Sequence, residues 1–128
     1  MLAMPTHPDA SRWKQVADGI AVDNLDRWEV EDAAGYHPVW LHALFSYAEA
    51  AGREHALTSP MMQYYYQYYV KLIDPTGNIP DFGDTQWGGA AAGCRFVAVF
   101  EKGAALTRNP ELKWAAQTMF SVQKSRTD

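Results

Sequence analysis

The sequence predicts an all-α domain built of antiparallel helical hairpins, and three observations predict it. Apolar residues recur at three-to-four spacing through each long segment between turn residues. Two segments open on a capping residue followed by proline, Ser59-Pro60 and Asn109-Pro110. That pairing suits a helix start, where proline's missing N–H costs nothing. No segment shows the strict alternation of a strand; the nearest, residues 96–100, alternates poorly.

In chain order, residues 1–8 read as an unstructured lead-in and residues 9–121 as one helical domain. Asp9 or Ser11 can cap a first helix that carries Trp13, Val16, Ala17 and Ile20, with Gly19 marking its end. Residues 23–28 read as a short polar turn or helical piece anchored by Leu25 and Trp28. A second helix starts around residues 36–38, with Pro38 in its first turn, and stops at Gly52. Tyr36, Trp40, Leu44 and Tyr47 form one stripe beside Leu41, Phe45 and Ala48. Only His42, Ser46 and Glu49 are clearly polar, so this is an inner helix packed on several sides.

After a connector, Ser59-Pro60 opens a helix that runs to about Ile73. Its Tyr64, Tyr65, Tyr66, Tyr68 and Tyr69 point in different directions around the axis, so some face the core and some a cleft or solvent. The outward ones are either boundary residues with wet hydroxyls or a wall that lines a ligand. Residues 74–87 cannot be helical: Pro75 and Pro80 remove donors, and Gly77 and Gly83 allow positive φ. Asp84 or Thr85 can cap a further helix that Gly103 ends. The small residues Gly89, Ala92 and Gly93 beside Phe96 let helix backbones approach closely, and Cys94 reads as an inert core residue. Asn109-Pro110 opens the last helix, marked by Leu112, Ala115, Ala116, Met119 and Phe120, and residues 122–128 read as a polar tail.

Composition narrows the function. A net charge of −4 with no basic cluster argues against nucleic acid. One cysteine excludes an internal disulfide and any multi-cysteine metal site. No window reaches the length of a membrane span, and the first residues match no signal peptide. His37 and His42 lie five apart rather than four, and no nucleophile motif is present. The reading is therefore no metal, no cofactor, no nucleic-acid partner and no membrane partner.

Two clusters carry chemistry: Glu31, Asp32, Tyr36, His37 and Trp40, and then Asp81, Asp84 and Trp87. Indoles stack on sugar C–H faces, carboxylates hold hydroxyls, and Tyr or His moves protons, so the set suits a carbohydrate. Glu31 and Asp32 serve equally well as helix N-terminal charge, and the loop aspartates as caps.

The segment from Glu31-Asp32 through Tyr36-His37, opening an apolar helix, resembles the Glu-x-Ser-x-x-Tyr-His helix start of heparinase II/III-like polysaccharide lyases. Pro75-Thr76-Gly77 through Pro80 and Gly83-Asp84 resembles their Pro-Asp-Gly-x-x-Pro-x-x-Gly-Asp loop. The likeness spans residues 28–87, and its order and separation fit. The chain departs where the family has Ser, here Ala33 or Ala34, and where it has Asp-Gly, here Thr76-Gly77. The resemblance implies part of an (α/α) toroid-like array and β-elimination of a uronate-containing polysaccharide. It implies Tyr36 and His37 as catalytic residues and Gly83 and Asp84 on the cleft-side loop; the carbohydrate reading of the two clusters adds Glu31, Asp32, Trp40, Asp81 and Trp87 around the substrate. It also implies a periplasmic or secreted setting.

A full toroid needs more helices than this chain holds, so an excerpt or a self-assembling homo-oligomer is expected. Alternatives are a glycoside hydrolase-like helical domain using a pair from the same carboxylates, and a non-enzymatic binding or self-assembly module.

Overall fold

The computed structural model describes residues 5–26, 33–84 and 91–127, and these are all-helical apart from loops and turns. Helix α1 spans Ala10–Asp26, α2 His37–Ala51, α3 Pro60–Val70, α4 Ala91–Thr107 and α5 Pro110–Thr127, with a 3-10 turn at Glu54–Thr58. The boundaries follow local chemistry. Ser59 Oγ accepts from the Met62 N–H at 3.3 Å, and Asn109 Oδ1 from the Glu111 N–H at 2.9 Å. Gly52 closes α2 in the left-handed region, φ 66°, and returns its N–H to the last carbonyls.

Helices α4 and α5 are joined by Arg108 and Asn109 alone. Gly93 lies against Gln123 and Gly103 against Leu112, so the two helices run antiparallel. The core lies between this hairpin and helices α2 and α3. It is built from Leu41 and Phe45 of α2, Tyr65, Tyr66 and Tyr69 of α3, and Phe96, Phe100, Leu112 and Met119 of the hairpin. The buried Tyr66 hydroxyl donates to the Leu57 carbonyl at 3.0 Å, which satisfies both groups, and burial pushes its pKa up.

Several expectations change. Gly103 does not end α4, which runs to Thr107. A Cβ there would sit 3.0 Å from a Leu112 methyl and 3.2 Å from the Tyr66 ring, so this glycine serves close packing rather than termination. Gly19 does not end α1 either; nothing lies within 4 Å of its missing Cβ, and the helix continues to Asp26. That continuation makes the described part of residues 23–28 helical, one of the two readings open for it. Helix α3 stops at Val70, short of Ile73. Cys94 is exposed, not core. Helix α5 extends through residues 122–127, which composition alone marks as a tail. Whether Asp84 or Thr85 caps α4 lies outside the described residues. Among the described residues no helix is long and apolar enough to cross a membrane.

The loop after α3 is a rigid strap. The Asp74 carboxylate accepts from the Thr76 N–H at 2.8 Å, the Thr76 hydroxyl at 2.7 Å and the Asn78 N–H at 3.0 Å. The Thr76 hydroxyl, then the backbone donors, hold that carboxylate below its ordinary pKa. Gly77 has φ 79°, and a Cβ on it would fall 2.8 Å from a Val122 methyl and 3.0 Å from a Thr118 methyl. The turn therefore seats directly on α5. Gly77→Ala combines left-handed strain with overpacking and is expected to destabilise by about 2 kcal/mol. Urea denaturation would show it as a lower midpoint at unchanged slope; an unmoved midpoint would mean that the strap is not held as described.

Candidate functional site

The two motif segments are brought side by side. The Ala34 N–H donates to the Phe82 carbonyl at 3.3 Å, joining the turn before α2 to the loop at residues 79–84. Ala33 and Ala34 are both buried, at 2% and 1% exposure, and their small side chains permit the approach. The Tyr36 and His37 N–H groups each donate to the Ala33 carbonyl at 3.0 Å, which fixes the first turn of α2. From α4, Arg95 Nη1 reaches the Gly35 carbonyl at 3.4 Å. Three segments distant in sequence thus meet at one edge.

At that edge the neighbouring Tyr36 and His37 point in different directions. Tyr36 is 53% exposed. His37 is fully buried, and its ring lies on Tyr69 with centroids 4.3 Å apart. Phe96 packs on the same tyrosine at 4.8 Å, and Phe82 stacks on it at 5.9 Å. Among the described residues neither His37 ring nitrogen has a hydrogen-bond partner. The ring supports the start of α2 from below and does not line a surface.

Trp40 is half-buried and turns toward α1. Its indole N–H donates to Asn24 Oδ1 at 2.8 Å, and its ring meets Tyr65 edge-on at 4.8 Å. Asp81 is half-buried and Asp84 exposed, the latter after Gly83 at φ 65°. Glu31, Asp32 and Trp87 lie outside the described residues.

Sequence reasoning did not single out Phe82, which plugs the loop into the core, or Arg95, which ties α4 to the turn before α2. Arg95 did leave a signal, as a lone charge inside an apolar stretch. An open depression of about 350 Å³ lies at the turn between α4 and α5, lined by Glu101, Ala104, Arg108, Asn109, Pro110 and Lys113. Its near rim, Glu101, is about 9 Å along α4 from Arg95, toward the opposite end of the helix. No three His, Cys, Asp or Glu side chains among the described residues are grouped to hold a metal ion.

Burial among aromatic rings pushes His37 from its ordinary 6.5 down to about 4, with the Tyr65 main chain opposing weakly from outside hydrogen-bond geometry. The unfolded ring takes up its proton near 6.5 and the folded ring only near 4. Folding stability is therefore complete above pH 6.5 and falls as the pH drops through this window, by about 3 kcal/mol in all. Urea denaturation between pH 4 and 7 should show that slope, and His37→Phe should flatten it. Equal slopes in both proteins would contradict the buried neutral ring. Compared with protein-family models, curated proteins and solved structures, the chain matches none.

Proposed function

We propose that the chain is a carbohydrate-active helical domain of the polysaccharide-lyase type, acting on an acidic polysaccharide or oligosaccharide where the turn before α2 meets residues 79–84. The observation that carries this reading is the hydrogen bond from Ala34 to Phe82. It joins the two segments on which the resemblance to heparinase II/III-like lyases rests.

Tyr36, exposed at this edge, is the proton-transfer residue. As the phenolate its oxygen takes the proton α to the uronate carboxylate; the electron pair left on that carbon forms the C=C bond, the bond between the β carbon and the glycosidic oxygen breaks, and the phenol so formed returns the proton to the departing oxygen. Asp84 and Asp81 hold sugar hydroxyls from the loop, with Glu31, Asp32 and Trp87 as further substrate contacts. His37 and Trp40 act beneath the surface, holding the helix turn that aims Tyr36.

A second reading, a non-enzymatic self-assembly module, is favoured by one observation: α1 turns Trp13, Val16 and Ile20 toward solvent. The tyrosine-rich helix does not supply such an interface, because Tyr65, Tyr66 and Tyr69 are fully buried and only Tyr64 and Tyr68 reach the surface.

Incubation with alginate, heparin and hyaluronan is expected to raise the ultraviolet absorbance of unsaturated uronates. Tyr36→Phe should lower the rate by about 100-fold or more while leaving binding nearly unchanged. No absorbance and no binding with any of the three would remove the lyase reading; new reducing ends without absorbance would indicate a hydrolase instead.

A further inference from the structure

His37 is a polar ring in an apolar place. It is fully buried, and among the described residues both of its ring nitrogens lack a hydrogen-bond partner. A buried polar group left unpaired costs stability, so its presence calls for an account.

The surroundings of the ring do not favour a charge. Tyr65 and Tyr69 of α3, Trp40 of α2 and Phe96 of α4 enclose it, with centroids 4.3 to 6.4 Å away. Ring faces attract a cation only weakly against the cost of taking an unpaired charge out of water. Helix α3 holds no charged residue. On α2, His42 faces the Arg95 carbonyl and Glu49 pairs with Lys102. On α4, Glu101 is taken by Lys113, and the Arg95 guanidinium sits at the Gly35 carbonyl, two residues ahead of His37. On the loop, Asp81 and Asp84 make no bond to either ring nitrogen. The start of α2 adds the positive end of the helix dipole. A proton on His37 would thus meet no described counter-charge, but a guanidinium and a helix N-terminus. Burial accordingly lowers the ring's pKa from 6.5 to about 4.

The way to water is short. His37 lies in the first turn of α2, next to exposed Tyr36. Freeing it breaks the backbone bonds from Ala34 to Phe82, from Tyr36 and His37 to Ala33, and from Trp40 to Tyr36. The rest of α2 stays fixed by Leu41, Leu44, Phe45 and Ala48 in the core. A helix end opens at a lower free energy than the whole molecule. A proton favours every state in which the imidazole meets water, local or global, by the same factor. As the pH falls, the local opening is therefore populated first.

We propose that the turn before α2 is an acid-operated latch: when His37 takes up a proton, residues 33–37 come away from the loop at residues 79–84 while the rest of the core stays folded. The segments that bear Tyr36 and Asp84 then part, so the edge is assembled at neutral pH and dismantled in acid. The inference concerns the edge itself and is independent of whether that edge acts on a polysaccharide.

Amide hydrogen exchange of the intact chain at pH 7 and pH 5, with each rate referred to the intrinsic rate at that pH, tests it. The Ala34 and His37 amides should be less protected than those of Phe100 and Ala116 in the core at both pH values. Edge protection should fall about 20-fold from pH 7 to pH 5. In His37→Phe, whose ring takes no proton, it should stay constant within about twofold. Equal protection at the edge and in the core would mean that the turn opens only with the whole molecule, and overturns the latch. Edge protection that does not change between the two pH values, or that falls as steeply in His37→Phe, overturns it as well. The first two outcomes are read on the wild-type chain alone, so the test stands even where the variant does not fold.

Discussion

Four segments converge on the ring of Tyr69. Helix α3 supplies it, α2 lays His37 on it, α4 brings Phe96 against it, and the loop stacks Phe82 on it at an interplanar angle of 11°. Each aromatic contact adds about 1 kcal/mol beyond the area it buries. More important is what the convergence positions. With His37 held face-on beneath, the preceding residue projects outward, and Tyr36 stands at the rim. The exposed phenol is thus a geometric result of the buried imidazole. Leaving that imidazole without a hydrogen bond costs stability, a cost the surrounding rings must outweigh for the turn to keep its direction.

Much of the fold was legible because helix ends carry local signals. Ser59, Asn109 and Gly52 act within a few residues of themselves, and their roles could be read without knowing what surrounds them. Gly103 misled because a glycine read in isolation is a helix stop, whereas here it makes room for Tyr66 and Leu112 arriving from elsewhere. The stripe on α1 was visible, but periodicity locates a face without saying what covers it. His37 followed the same logic. Side chains one residue apart on a helix diverge by 100°, so a Tyr-His pair places one member inward, and only the packing of α3 decides which. The adjacency of residues 34 and 82 depends on the whole path of α2 and α3, and no local pattern encodes it.

The loop after α3 is held by two kinds of chemistry. Its first half is closed on itself by Asp74 and seated on α5 at Gly77. Its second half is plugged into the core by Phe82 and bonded to the turn before α2. Asp84 therefore extends from an anchored segment. Helix α1 is held differently, by Tyr47 to Asp18, Trp40 to Asn24 and the Tyr65 hydroxyl to the Asn24 carbonyl. Such polar pins, with Leu25 packed on the core, fix the orientation of α1 while Trp13, Val16 and Ile20 stay turned to water.

The two-residue link between α4 and α5 sets an order of assembly. Closing so short a connection takes little chain entropy, and its contacts join residues near in sequence. The hairpin can zip up from Arg108 outward while the rest of the chain is still searching. The strap, by contrast, seats Gly77 on Thr118 and Val122 and bonds Phe82 to Ala34, contacts between residues more than 40 positions apart. The edge that carries Tyr36 and Asp84 thus depends on closing far longer loops than the hairpin does.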